Sequence, residues 1–161
     1  MLEKWPFFIE PMERETNIHV YLPDDYYDNE EERYPVMYMF DGHNLFLDED
    51  ATFRKSWGLQ KFLHGYEKPF IIVGIECDHI GDNRLQEYTP YALQYTFFGP
   101  TTGRGALLMH WIVTALKPYI DQRYRTWTHR EATGISGSSM GGLMAFYGVL
   151  HYNHYFSKAA C

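Results

Sequence analysis

Two near-continuous apolar runs restrict the folds open to this chain more than any other feature. They are Pro35–Asp41, which reads P-V-M-Y-M-F-D, and Phe70–Glu76, which reads F-I-I-V-G-I-E. A strand with one face in solvent alternates apolar and polar residues, whereas a strand covered on both faces stays apolar throughout. Sheets buried on both faces are usually parallel. The two runs therefore predict strands of a mostly parallel sheet with helices on both sides.

Weaker patterns supply the other elements. Two further strands are predicted, over Asn17–Leu22 and Ala132–Ser138. Three helices are predicted, over Lys55–Tyr66, Gly105–Tyr124 and Gly142–His151. Pro118 lies inside the second helix and should kink or shorten it, because proline lacks the backbone N–H that continues a helix. Alternating strands and helices, with no repeat and no domain boundary, predict a single α/β domain over residues 1–161.

Composition narrows the class of protein. The 161 residues are 45% hydrophobic and 18% aromatic, which suits one domain with a substantial core. The net charge of −7 and the lack of a basic stripe argue against a nucleic acid partner. Cys77 and Cys161 are too few for a disulfide framework, and the first residues show no signal peptide. No apolar run approaches the length of a membrane span, so we predict a cytoplasmic protein without membrane association.

The segment Gly137–Gly141 reads G-S-S-M-G and fits the pattern G-x-S-x-G. In that pattern a serine nucleophile, at Ser139 in this chain, lies on a sharp turn between a strand and a helix. Side chains two positions before and after the serine would collide in so tight a turn, and glycine removes the collision. The pentapeptide alone fits a glycine-rich packing turn equally well. A phosphate-binding loop is disfavoured, because no Lys-Ser or Lys-Thr follows at the required spacing.

Four segments that precede this motif extend the match along the chain. In order they are Val20–Pro23 with a tyrosine after it, Tyr38–Phe46, Arg84 with Glu87–Pro90, and Leu116–Asp121. Together with Gly137–Gly142 they resemble the putative-esterase (esterase D-like) family of the α/β-hydrolase fold, a three-layer sandwich. That family includes feruloyl esterases, enterochelin esterases, S-formylglutathione hydrolases and mycolyltransferases. The resemblance runs from about residue 15 to the last residue.

The resemblance implies a serine carboxylic ester hydrolase that acts on small-molecule esters through an acyl-enzyme on Ser139. The backbone N–H groups of Met140 and His43 would form the oxyanion hole, Met140 because it is first in the helix after the turn. The residues expected to contact substrate are Gly42, Asn44, Arg84, Glu87 and Tyr88. For the last three an ordinary salt-bridge cluster is an equal alternative. The resemblance implies no metal and no cofactor.

The acid and the histidine of a catalytic triad are not identifiable in the sequence. In α/β-hydrolases both follow the serine, and His151 and His154 come after the helix that leads away from Ser139. We therefore expect both partners beyond residue 161, with the C-terminal part of the fold absent from this chain. The final run, Phe156–Cys161, resembles the start of the next strand in the family. With the fold stopping at residue 161, we expect Ala132–Ser138 to be a sheet edge, to be completed by a second segment or by a homo-oligomer.

Three further groups of polar or aromatic residues are candidates for binding sites, and each also has a purely structural interpretation. Asp48–Asp50 fits a solvated loop better than a cation site. Asp78, His79 and Asp82 follow a buried strand, and a metal in that loop is the less favoured alternative. A group of aromatic residues is more typical of packing than of a platform for an aryl group or a sugar; it consists of Tyr91, Tyr95, Phe97 and Phe98. Two functions compete with ester hydrolysis: an acyltransferase of the same fold, and a non-catalytic binding module that lacks a working triad.

Overall fold

A six-stranded sheet forms the centre of the computed structural model, which describes residues 1–94 and 99–161. The strands are β1 (Leu2–Ile9), β2 (Arg14–Tyr21), β3 (Val36–Phe40), β4 (Ile71–Ile75), β5 (Thr133–Ser136) and β6 (Lys158–Ala160). Their order across the sheet is β1-β2-β4-β3-β5-β6. The pairs β4–β3, β3–β5 and β5–β6 are parallel, and β1–β2 and β2–β4 are antiparallel. The four predicted strands therefore belong to one sheet, and the last three are mutually parallel, as predicted.

The residues of β3 and β4 alternate between two buried faces, which explains why neither strand alternates in polarity. Val36, Tyr38 and Phe40 of β3 belong to the larger core cluster. Met39 belongs to a smaller cluster on the opposite face, and Met37 packs against that cluster. All five residues of β4 are buried. The prediction of strands covered on both faces is confirmed for these two strands.

Five α-helices and one π-helical segment lie in the described residues. They are α1 (Leu59–Leu63), α2 (Asn83–Glu87), α3 (Gly105–Trp111), the π segment Ile112–Leu116, α4 (Lys117–Arg123) and α5 (Met140–His151). Residues of α3, the π segment, α4 and α5 pack in the larger core cluster. Helix α1 contributes Leu63 to the smaller cluster on the other face. Helices therefore cover both faces, but unequally.

Two predicted helices differ in detail from the structure. The first is shorter than Lys55–Tyr66, because Gly58 has a left-handed backbone with φ 67° and the N–H of Trp57 donates to the carbonyl of Asn44. The second runs through Pro118 to Arg123 without ending at the proline. Its irregularity is the π segment, which ends at Leu116, two residues before Pro118. The wider turns of this segment accommodate a residue that donates no helical hydrogen bond.

Strands β1 and β6 lie at the two edges of the sheet. β1 is not predicted from the sequence, because Pro6 interrupts its apolar pattern. The strand forms nevertheless, since proline is tolerated in an edge strand. The expectation that Ala132–Ser138 forms a sheet edge is wrong, since Gly134–Ser136 pair with Lys158–Ala160. Phe156 is fully buried, and its ring meets the ring of Tyr38 edge-on at 6.0 Å. This anchor returns the chain to the sheet so that β6 covers β5.

The outer side of α5 carries exposed apolar residues. Leu143, Phe146 and Leu150 are each about half exposed and lie three or four residues apart on the helix. Such a surface is typical of a helix that contacts further protein. None of the helices in residues 1–94 and 99–161 has the length and apolarity needed to cross a membrane.

Candidate active site

Three loops meet at one edge of the sheet. They follow the carboxyl ends of β4, β3 and β5, which are adjacent and parallel. The loops begin at Glu76, Asp41 and Gly137 respectively. In open α/β sheets, ligands bind at the carboxyl ends of the strands. The candidate site is therefore built from residues that directly follow three neighbouring strands.

Ser139 lies on a strained turn between β5 and α5. Its backbone has φ 56° and ψ −119°, a conformation that residues other than glycine rarely adopt. Strain of this kind costs about 1–3 kcal/mol and is concentrated at functional sites. The residue is exposed, and its hydroxyl makes no hydrogen bond to any residue that the structure describes. Ser139 is thus accessible on a strained turn at the sheet edge, and its role as the nucleophile stays a prediction.

Two glycines permit this turn. A Cβ atom on Gly137 would lie 2.4 Å from the carbonyl carbon and oxygen of Gly141, far inside van der Waals contact. A Cβ atom on Gly141 would lie 3.1 Å from Cβ of Phe40 and 3.4 Å from Oδ2 of Asp41. The first glycine closes the turn, and the second lets the start of α5 pack against the end of β3. Ser139 consequently lies beside the loop that begins at Asp41.

Two backbone N–H groups at this edge make no hydrogen bond within the described residues. Met140 is the first residue of α5, so its N–H has no partner inside the helix. His43 lies in a 3₁₀ turn, Gly42–Asn44, and its N–H is likewise unpaired among the described residues. Both groups are of the kind that an oxyanion hole uses. Their role stays a prediction.

The Asp41 loop is anchored by Arg84 and Tyr88. Nε and Nη2 of Arg84 donate to the two carboxylate oxygens of Asp41 at 2.8 and 2.7 Å. The N–H of Asp41, a residue with φ 57°, donates to the buried hydroxyl of Tyr88 at 3.1 Å. Bidentate pairs between arginine and carboxylate fix geometry as well as charge. These contacts hold the left-handed residue that starts the loop.

Glu87 forms a second bidentate pair, with Arg14 of β2. Its two carboxylate oxygens accept from Nε and Nη2 of Arg14 at 2.6 and 2.8 Å, and the glutamate is 3% exposed. Arg84, Glu87 and Tyr88 therefore all make internal contacts, as in the salt-bridge alternative of the sequence analysis. Contact with substrate remains a prediction for these residues. Arg84 is the most accessible of the three, with 32% of its side chain exposed.

Gly42 and Asn44 also have structural contacts. A Cβ atom on Gly42 would lie 2.5 Å from the carbonyl carbon of Gly74, so only glycine lets the loop pack against β4. Oδ1 of Asn44 accepts a hydrogen bond from the N–H of Thr52 at 3.0 Å. The loop that begins at Asp41 is therefore fixed by its packing against β4 and by the hydrogen bond to Thr52. The predicted contact of Gly42 and Asn44 with substrate is not tested by these contacts.

The tertiary structure brings together His43, Cys77 and His79, which the sequence analysis did not group. The two imidazole rings meet edge-on with their centroids 4.4 Å apart. Nε2 of His43 lies 3.0 Å from Oγ1 of Thr52, while its Nδ1 is buried without a partner in the described residues. Burial, with a smaller contribution from His79, lowers the pKa of His43, and burial raises the pKa of Cys77 to about 12. The sequence feature that could have identified this group is the position of its members, because all three residues follow the carboxyl ends of the neighbouring strands β3 and β4.

Glu76 lies next to this cluster at the centre of a polar network. Its Oε1 lies 2.6 Å from Nε2 of the buried His19, and its Oε2 accepts from Nδ2 of Asn17 at 3.2 Å. Burial alone would raise the pKa of Glu76. The hydrogen bonds from His19 and Asn17 and the charges of His19 and Lys4 outweigh burial and lower the pKa to about 2. Glu76 is therefore ionised at the edge of the site.

The remaining candidates lie elsewhere. Oδ1 of Asp48 accepts from the N–H and the hydroxyl of Ser56, both at 2.8 Å, which fits the predicted loop. His151 ends α5, and a helix of 12 residues places it about 18 Å from the start. Tyr91 lies beside His151, with its hydroxyl 3.1 Å from Nε2. The predicted aromatic packing of Tyr95, Phe97 and Phe98 falls outside the described residues.

Comparison with solved structures defines the class of fold. An IroE-like serine hydrolase from Shewanella oneidensis superimposes with a TM-score of 0.77 and 22% identity, over 99% of this chain and 49% of that one. The enterobactin esterase FES from Shigella flexneri gives a TM-score of 0.69 and 17% identity, over 97% of this chain and 35% of that one. The chain has the α/β-hydrolase fold.

Sequence comparison defines the family. The profile of the family described as Putative esterase matches residues 9–161, and the chain belongs to that family. YbbA from Bacillus subtilis (strain 168) is 27% identical over 144 residues, which cover 86% of this chain and 52% of YbbA. Esterase MT1326 from Mycobacterium tuberculosis is 31% identical over 146 residues, which cover 89% of this chain and 28% of that protein. The chain thus spans about half or less of the length of these relatives.

Proposed function

We propose that this protein hydrolyses carboxylic esters through an acyl-enzyme on Ser139. The observation that carries the proposal is the exposed serine on a strained turn at the carboxyl edge of the sheet. Membership of the Putative esterase family supports it. The fold alone would not support the proposal, because one fold can carry many unrelated functions.

In the proposed reaction, Oγ of Ser139 attacks the carbonyl carbon of the ester while a base removes its proton. The N–H groups of Met140 and His43 stabilise the negative charge that develops on the carbonyl oxygen. Each such donor is typically worth about 2.7–4 kcal/mol in the transition state. The proton passes to the departing alcohol, and water then releases the acid from Ser139 by the same route. The base and its acidic partner are proposed to lie beyond residue 161.

A cavity beside Met140 is the proposed place for an apolar part of the substrate. Its volume is about 190 Å³, and its apolar lining includes Leu85, Leu93, Met140 and Leu143. It adjoins the residue whose N–H is the proposed oxyanion donor. A small apolar acyl or alcohol group bound there would leave the ester carbonyl near the start of α5.

A fluorophosphonate probe tests the role of Ser139. In a form of the protein that continues beyond Cys161, we expect covalent labelling that is lost in Ser139→Ala. The neighbouring Ser138 is also exposed and makes no side-chain hydrogen bond among the described residues, so Ser138→Ala is a matched control that should keep its labelling. Labelling that persists in Ser139→Ala, or its absence from the unsubstituted protein, would contradict the proposal.

The acyltransferase alternative differs only in the second step, where an alcohol replaces water. Product analysis with and without an acceptor alcohol separates the two reactions: hydrolysis gives the free acid in both cases, whereas transfer gives a new ester. A non-catalytic binding module would give neither product and no labelling of Ser139.

A further inference from the structure

Two histidines and a cysteine converge at the carboxyl ends of β3 and β4. One ring nitrogen of His43, one of His79 and Sγ of Cys77 all lie within 4.8 Å of one another. We propose that these three residues form a binding site for a divalent metal ion of the zinc type. The proposal concerns metal binding by the chain and does not depend on the proposed ester hydrolysis.

The side chain of His43 points to a ligand independently of the clustering. It is 4% exposed, and its Nδ1 has no hydrogen-bond partner in the described residues. Its Nε2 lies 3.0 Å from Oγ1 of Thr52. An Nε2–H that donates to this hydroxyl leaves a lone pair on Nδ1, which is the form in which imidazole binds metals. A buried, unpaired acceptor is costly, and a metal ion would satisfy it.

His79 also has one ring nitrogen facing the cluster and the other facing a carboxylate. Its Nδ1 lies 3.9 Å from Sγ of Cys77, and its Nε2 lies 3.6 Å from Oε2 of Glu76. A carboxylate behind the second nitrogen of a ligating histidine orients the ring and increases its basicity. Glu76 is itself fixed by His19 and Asn17. The cluster therefore has three ligand atoms and a fixed carboxylate close behind one of them.

The ligand set selects the type of metal. Two imidazole nitrogens and one thiolate favour zinc and similar ions, whereas magnesium and calcium prefer oxygen ligands. Zinc–nitrogen distances of about 2.0–2.1 Å and a zinc–sulfur distance of about 2.3 Å place tetrahedral ligand atoms closer together than in this structure. The side chain of His79 is 54% exposed and is therefore free to shift towards a bound ion. Three protein ligands leave a fourth position for water.

Titration of the metal-free chain with Co²⁺ tests the site, because cobalt replaces zinc and its bond to a thiolate absorbs in the near ultraviolet. We expect one Co²⁺ per chain, a thiolate-to-cobalt band, and loss of the band on addition of Zn²⁺. Cys77→Ser should abolish the band, and His79→Gln should weaken binding by more than about 100-fold. Glu76→Gln, which removes the carboxylate behind Nε2 of His79, should weaken binding by about 10–100-fold. Cys161→Ser is the matched control, since Cys161 is exposed and lies outside the cluster.

Circular dichroism spectra establish that each variant is folded before titration. The test does not depend on the buried Cys77 alone, because His79 is exposed and its replacement leaves the core intact. The proposal is overturned if the chain binds no Co²⁺ saturably, or if the band survives in Cys77→Ser. It is also overturned if His79→Gln binds as tightly as the unsubstituted chain, or if Cys161→Ser is the variant that loses the band.

Discussion

Gly137 illustrates how much one residue can decide in this protein. A Cβ atom at this position would meet the backbone of Gly141 at 2.4 Å, and a backbone cannot move aside as a flexible side chain can. We expect Gly137→Ala to lower the free energy of unfolding by about 1–3 kcal/mol, as overpacked substitutions do. Urea denaturation measures the change. Gly148→Ala in α5 is the control, because its nearest neighbours are the side chains of Met109 and Ile135, and it should change stability by less than about 1 kcal/mol.

Glu76 provides a pH-dependent prediction at the same scale. Its pKa is lowered to about 2 in the folded protein from the ordinary value of 4.5, so the ionised form stabilises the fold. That contribution is fully present above pH 4.5 and is lost as the pH falls towards 2. We expect Glu76→Gln to cost about 3 kcal/mol at pH 7 and roughly 1 kcal/mol at pH 3.

Urea denaturation of both proteins at several pH values measures this difference. Glu30→Gln, at an exposed loop position, is the control and should stay within about 0.5 kcal/mol of the unsubstituted protein at each pH. A gap between Glu76→Gln and the unsubstituted protein that does not narrow between pH 4.5 and pH 3 would show that Glu76 acts through packing alone.

At the scale of elements, the short strand β6 protects β5 and supports the serine turn. It pairs with Gly134–Ser136, and the carbonyl of Ala160 accepts a hydrogen bond from the N–H of Gly137 at 3.1 Å. A chain that ends at Ser157 exposes the edge of β5, and exposed edges promote association. We expect its melting temperature to fall by roughly 3–8 °C and light scattering to rise with concentration. Cys161→Ser, which leaves β6 intact, should show neither change.

At the scale of the whole molecule, the site contains a serine and unpaired N–H groups but no base on the serine among the described residues. Oxyanion donors without a base keep some acceleration over water, whereas general base catalysis adds about 10²–10⁴-fold. We expect residues 1–161 to turn over p-nitrophenyl acetate at least about 100-fold more slowly than a form that continues beyond Cys161. Equal rates that both depend on Ser139 would place the base within residues 1–161.

The sequence by itself determined the features that depend on neighbouring residues. The two apolar runs predicted β3 and β4, because a strand buried on both faces is apolar at every position of a short, continuous segment. The pattern around Ser139 gave the turn, because steric collision between Gly137 and Gly141 is set by their separation along the chain. Helix α5 followed from the apolar residues after that turn, and the family followed from the order of several motifs.

Only the tertiary structure decided which distant residues meet. The pairing of Arg84 with Asp41 and of Arg14 with Glu87 depends on how α2 is placed against the sheet. The grouping of His43 with Cys77 and His79 depends on β3 and β4 being neighbours in the sheet, although they are separated by α1 in the chain. The strand order is set by the packing of the whole core, and no local periodicity encodes it. For that reason the sequence located the serine turn, whereas the cluster beside it became visible only in the folded chain.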